Sequence, residues 1–170
     1  NNSNLTSVYA PNLFTWLCYP TKMFTNGSNV RNLYINNEIL TEVVIPEGIE
    51  VVDNYAFYKN PHITSVVISD WVTDVQTYAF YGLSNANFLY LGNSLQYIGD
   101  YGFREFEGTL VIDNTILNFT SITNNYFKKI IIYNVSSGGI LPHSSVEEIQ
   151  IENDDIVLKS NSTSAGFTNV

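Results

Sequence analysis

One cysteine, Cys18, and two histidines, His62 and His143, are the only soft metal ligands in the chain apart from a single Met. A lone Cys excludes an internal disulfide. A zinc site would need other ligands, because the histidines stand 81 positions apart with no metal-like spacing. Both histidines fall in turns of different repeats, where a solvated side chain is the ordinary expectation. Cys18, beside Trp16-Leu17 and Tyr19, is expected to be a buried small hydrophobe rather than a nucleophile. Positive charge is scarce too: 7 Lys and Arg face 16 Asp and Glu, and the net charge of −9 repels phosphate backbones. Nucleic acid is therefore a poor partner. No basic cluster points to an anionic membrane surface, and neither a secretory leader nor a membrane-spanning apolar run is visible. The chain begins with Asn1 rather than Met, which leaves room for a leader or earlier domain removed before it.

Motifs for catalysis are missing as well. No GxSxG, HExxH, P-loop or dinucleotide fingerprint occurs. Glu147 and Glu148 are neighbours on a strand and point to opposite sides, so they do not make a catalytic carboxylate pair. Glu152 with Asp154-Asp155 lacks both EF-hand spacing and a glycine-rich acidic nonapeptide. Asn-x-Ser/Thr occurs at Asn1, Asn4, Asn26, Asn118, Asn134 and Asn161, mostly by chance in a chain so rich in Asn. No cofactor is implied. What the 170 residues do carry is apolar and aromatic: 45% hydrophobic, with 12 Tyr and 10 Phe against 14% charged. That is enough for one domain with a sizeable core.

The organising stretch runs from Leu40 to Phe103. Phe57, Phe80 and Phe103 stand 23 residues apart, as do Tyr55, Tyr78 and Tyr101, and Ile45, Ile68 and Leu91. A fixed period in the 20–29 range implies stacked coils that bury their apolar faces only against neighbours. Each coil opens on a spacing such as Leu40, Val43, Ile45 or Ile63, Val66, Ile68, whose last two members alternate like a strand with one buried face. Pro46 stops the first strand, where a missing N–H does little harm. A second apolar pair (Ile49 and Val52, Val72 and Val75, Leu95 and Ile98) returns the chain. Asp53-Asn54-Tyr-Ala-Phe57 then suits a single helical turn driving Ala56 and Phe57 inward. The three Phe rings are expected to stack as a continuous internal ladder, a core feature and not a cofactor box.

These residues resemble the BspA-like leucine-rich repeats, whose consensus looks like LTxVxIPxxVxxIGxxAFxxC. The matching stretches are Leu40-Thr-Glu-Val-Val-Ile-Pro46 with Tyr55-Ala-Phe57, Ile63-Thr-Ser-Val-Val-Ile68 with Tyr78-Ala-Phe80, and Leu95 through Ile98-Gly-Asp-Tyr-Gly-Phe103. Leu33-Tyr-Ile-Asn-Asn-Glu-Ile-Leu-Thr41 is similar to a stretch that often precedes such repeats. The family's Gly before Asp or Asn survives only as Gly99, and its Cys after the turn is replaced by Asn60 and Ser84. The resemblance covers the middle of the chain well and the ends loosely. It implies a bacterial, sometimes protist, cell-surface or secreted protein that binds other macromolecules, and it carries no catalytic residues to transfer.

The fold class expected is mainly β: one right-handed solenoid with a parallel sheet and short helical turns, in repeats of about 23 residues. Residues 1–39 form irregular N-terminal coils and a hairpin, 40–152 the repeats, and 153–170 a last strand or tail. Leu5 to Ala10 reads as an outer coil. Residues 11–28 read as a longer loop whose aromatics (Phe14, Trp16, Tyr19, Phe24) cap it. Asn36-Asn37 suits a hairpin turn. Strands are expected near 43–45, 66–68, 89–91, 110–112, 130–132 and 149–151. After Phe103 the period drifts, with Phe127 falling 24 residues on and 118–125 reading as a longer return.

The candidate binding site is the outward row of that sheet. Between the last two buried strand positions stand Tyr9, Tyr34, Val44, Val67, Tyr90, Val111, Ile131 and Gln150, and one strand position earlier Ser7, Asn32, Glu42, Ser65, Phe88, Thr109, Lys129 and Glu148. The partner-binding residues expected from this pattern are Tyr34, Val44, Val67, Phe88, Tyr90, Val111 and Ile131. Either strand propensity or a contact strip explains an apolar ribbon in that place. Three functional readings remain open. The first is an extracellular binding or adhesion module contacting protein or glycan, such as host matrix or other cells. The second is a structural spacer within a longer adhesin, and the third a glycoside hydrolase.

Overall fold

The computed structural model describes residues 5–18, 32–114, 126–135 and 146–152. The readings placed on 118–125, on the turns over 136–142, on His143, on Asp154-Asp155 and on the final strand or tail fall outside the described residues. The chain opens with β1 (Ser7–Ala10) and α1 (Leu13–Cys18), followed by β2 (Asn32–Ile35) and β3 (Glu38–Ile39). Asn12 caps α1, its Oδ1 accepting the Thr15 N–H at 2.7 Å. Trp16 and Leu17 are buried in the core, so Trp16 serves the expected cap, whereas Phe14 is 44% exposed and Tyr19 and Phe24 lie outside the described residues. Cys18 is exposed, not buried as expected. On a helix each residue turns about 100°, so the position after Trp16 and Leu17 leaves the buried face. Asn36 and Asn37 take φ of 50° and 65°, the left-handed pair that a two-residue hairpin requires, and β3 folds antiparallel onto β2.

The coils follow as β4 (Glu42–Val44), β5 (Val51–Val52), β6 (Ser65–Ile68), β7 (Asp74–Val75), β8 (Phe88–Leu91), β9 (Tyr97–Ile98), β10 (Glu107–Asn114), β11 (Tyr126–Val135) and β12 (Glu148–Ile151). Two parallel sheets form two of their sides, one in the order β12-β11-β10-β8-β6-β4 and one in the order β5-β7-β9. Corresponding residues pair between successive coils, at a step of 23 residues for Val43 with Val66 and Val66 with Leu89, then 21 for Leu89 with Leu110 and 20 for Leu110 with Ile130. Every member of that inward row is buried. The expected strands are present: the first is displaced by one residue, to Glu42–Val44, and the others extend beyond the expected ranges.

The third side is a run of tight turns. Here the expected helical turn gives way to consecutive β-turns, with Tyr55, Tyr78 and Tyr101 at φ of 62°, 58° and 59°. The conformation is costly for a side chain, roughly 1–2 kcal/mol per residue. The backbone gains a complete set of partners from it. Alternate N–H groups bond within the turn (Ala56 to the Asp53 carbonyl, Tyr58 to Tyr55, Asn60 to Phe57). The others reach the next coil, Tyr55 to Thr77, Phe57 to Ala79 and Lys59 to Tyr81, at 3.3, 2.8 and 2.8 Å. A helical turn would leave that second set without the next coil's carbonyls.

Inside, Phe57, Phe80 and Phe103 stack at 5.0 and 5.1 Å with interplanar angles of 14° and 8°, the expected ladder. It does not continue to Phe127 by a drifted repeat. Phe106 lies edge-on to Phe103 at 6.0 Å, and Phe127 meets Phe106 tilted at 38°. Phe127 belongs to β11, paired with Gly108, and so occupies a strand rather than a turn.

Candidate functional site

On the six-stranded sheet, side chains alternate between core and solvent, and parallel in-register pairing lines the outward ones up in rows. The register runs Val44, Val67, Tyr90, Val111, Ile131, Gln150, each paired with the next. The neighbouring row is Glu42, Ser65, Phe88, Thr109, Lys129, Glu148. Val44 is 55% exposed; Val67, Phe88, Tyr90 and Ile131 are part-exposed. Two members depart from expectation. Val111 is 6% exposed, flanked on its own level by the larger Tyr90 and Ile131. Tyr34 lies on a different sheet. Because β3 occupies the free edge of β2, β2 does not pair with β4, and Tyr34 stacks on Tyr9 at 4.5 Å instead of joining the ribbon.

The carboxyl ends of the strands carry polar groups that sequence reasoning did not single out. Tyr90 lies with its hydroxyl 3.5 Å from Asp113 Oδ2, and Asn134 donates from Nδ2 to Asp113 Oδ1. Asp70 Oδ1 accepts the Asn93 N–H at 3.0 Å and overhangs Gly92, where a Cβ would meet that oxygen and the Ile68 carbonyl at 2.6 Å. Burial, then the charges of Asp70 and Asp113, push the Tyr90 phenol above its ordinary pKa. Lys129 pairs with Glu148 at 2.8 Å. Asp70 and Asn93, and Tyr90 and Asp113, stand 23 residues apart, so the repeat step itself was the available signal for this cluster. Asn114 is buried and donates to the carbonyls of Gly92 and Leu95, closing the corner.

A second aromatic group sits on the turn side. Tyr55, Tyr78 and Tyr101 stack at 5.2 and 5.1 Å, and Tyr58 stacks on Tyr81 at 5.4 Å, the two columns meeting edge to face. Lys59 lies 5.3 Å from the Tyr58 ring centre, and Arg104 4.8 Å from that of Tyr101. Tyr81 donates to Glu105 at 2.8 Å. That bond, then burial, raises the Tyr81 pKa; burial, then the neighbouring tyrosines, raises that of Tyr78. The 23-residue step of Tyr55, Tyr78 and Tyr101 was the available signal for this column. His62 is not simply solvated: it is part-buried, with Nε2 2.8 Å from Asn32 Oδ1. Among the described residues no three His, Cys, Asp or Glu side chains converge to hold a metal ion, and no helix is long and apolar enough to cross a membrane.

Stacked parallel coils of this kind define a leucine-rich-repeat solenoid, typically a non-catalytic binding scaffold. The family model of the BspA type leucine rich repeat region matches residues 31–133 in 6 copies, and the chain belongs to that family. No curated protein and no solved structure matched the chain.

Proposed function

We propose that this protein is a non-catalytic extracellular binding module of a bacterial cell surface, contacting protein or glycan through the six-stranded sheet face. The observation that carries the reading is the ribbon Val44, Val67, Tyr90 and Ile131, apolar and at least partly open in a row where a soluble protein usually places polar groups. Phe88 widens the strip, and Val111 contributes continuity beneath it rather than open surface. The family supports a repeat-based interaction module, and its surface association supports the location. A spacer role is the second reading, favoured by the Phe and Tyr columns, whose ring contacts are with neighbouring coils.

An array of extracellular-matrix proteins and glycans, probed with the purified chain, tests the reading. The expected result is retention on at least one matrix protein or glycan and its loss in Val67→Ser/Tyr90→Ser, with melting little changed. Equal retention by the double variant would reduce the ribbon to strand propensity. No retention on any spot would favour the spacer.

A further inference from the structure

We propose that the occupant of the sheet face is an extended polypeptide segment in which apolar side chains alternate with lysine or arginine. The inference rests on the sheet face being the binding surface and goes on to name the partner's chemistry. Shape comes first. Val44, Val67 and Ile131 are branched aliphatics, which pack well against apolar protein side chains, and only Tyr90 and Phe88 add ring surface to the strip. The row crosses six strands, about 24 Å at a strand spacing of roughly 4.8 Å, which an extended chain spans in about seven residues.

Charge then chooses among polypeptides. Glu42, Glu107, Asp113 and Glu148 lie on these six strands, with Asp70 and Glu152 just beyond them, against Lys128 and Lys129 alone. Lys129 is paired with Glu148, so the margin of the ribbon is acidic. Asp70 and Asp113 bracket Tyr90 at the carboxyl ends of the strands, within reach of a cationic side chain on a segment whose apolar neighbours contact Val67 and Ile131. A second copy of this chain is a poor occupant, since two acidic faces on molecules of net charge −9 repel. An acidic partner fails for the same reason.

Three labelled peptides of about twelve residues, longer than the span estimated above, test this by fluorescence anisotropy. One alternates lysine with tyrosine, one glutamate with tyrosine, and one lysine with serine. The lysine–tyrosine peptide is expected to bind, with the other two weaker by about tenfold or more. Asp70→Asn/Asp113→Asn is expected to weaken it by about threefold to tenfold and to flatten its salt dependence. Val67→Ser/Tyr90→Ser should weaken it without that flattening. Because Asp113 also accepts a bond from Asn134, Glu42→Gln replaces the second substitution if the variant melts early. Equal binding of the lysine and glutamate peptides would overturn the charge argument, and equal binding of the serine peptide would overturn the apolar one. Either result, with the array still showing loss in Val67→Ser/Tyr90→Ser, would refute this inference alone. An unchanged array would instead refute the binding surface itself.

Discussion

The turn side and the sheet face both carry apolar side chains in register, and they use them differently. On the turn side the ring faces are turned on one another. Tyr78 alone is stacked between Tyr55 and Tyr101 and meets Tyr58 and Tyr81 edge-on. Lys59 and Arg104, two of the few cations, sit over rings of the same group. The aromatic surface there is accounted for by the protein. On the sheet face the ribbon is largely aliphatic, Val44 is more than half open, and the charge around it is acidic. An ordered aromatic column on a solenoid is thus explained by stability, whereas an apolar row without such internal contacts asks for a partner.

Removing the ring at the centre of the internal ladder should give the largest effect. Phe80→Ala is expected to cost roughly 3–5 kcal/mol, because coils pinned by strand pairing on two sides cannot collapse into the gap. That is a large share of the about 5–15 kcal/mol typical of a domain. Phe127→Ala should cost less, since its ring is tilted on Phe106 rather than sandwiched in parallel. Chemical denaturation of the two variants side by side checks the order, and equal losses would mean that stacking is not the unit of stability.

On the surface of the same coils, Tyr78→Ala should destabilise by about 1–3 kcal/mol, through the loss of four ring contacts on a half-exposed residue. Binding to any partner retained on the array should stay as it was. Val67→Ser/Tyr90→Ser is the mirror image: a change in stability within about 1 kcal/mol, with binding lost. If Tyr78→Ala abolished binding at unchanged melting, the roles of the two surfaces would be reversed.

The smallest effect is alkaline. Tyr78 and Tyr81 hold their phenolic protons to higher pH in the fold than an ordinary tyrosine, whose pKa is about 10. Their contribution to stability is therefore complete below about pH 10 and is lost as pH climbs through their folded values. Melting temperature should fall above pH 10, and Tyr81→Phe, lacking the phenol that bonds Glu105, should show a flatter fall. An identical alkaline slope would remove the Tyr81–Glu105 bond from the account.

Much of this fold was legible in the spacing of Ile45, Ile68 and Leu91 and of the three Phe residues. Identical positions in stacked coils must touch, so a period fixes the strands, the core and the internal ladder. A period says nothing about backbone conformation, and the left-handed φ of Tyr55, Tyr78 and Tyr101 was hidden because no Gly marks those positions. Nor does it report competition for an edge: the hairpin at Asn36-Asn37 was readable, but its consequence, that β3 keeps Tyr34 out of the ribbon, required the pairing. The outward row was readable by alternation, whereas the burial of Val111 depends on the size of its neighbours on both sides. Cys18 was misplaced by treating neighbours in sequence as neighbours in burial, which fails on a helix.

The division of labour between the two surfaces can be tested in one titration. Isotope-labelled protein would be titrated with the lysine–tyrosine peptide, and the amide resonances that shift would be mapped onto the structure. The account predicts shifts concentrated at Val44, Val67, Tyr90 and Ile131 and at the adjoining Asp70 and Asp113, with Tyr55, Tyr78 and Tyr101 unmoved. Shifts centred on the tyrosine columns, or none at all at saturating peptide, would contradict it.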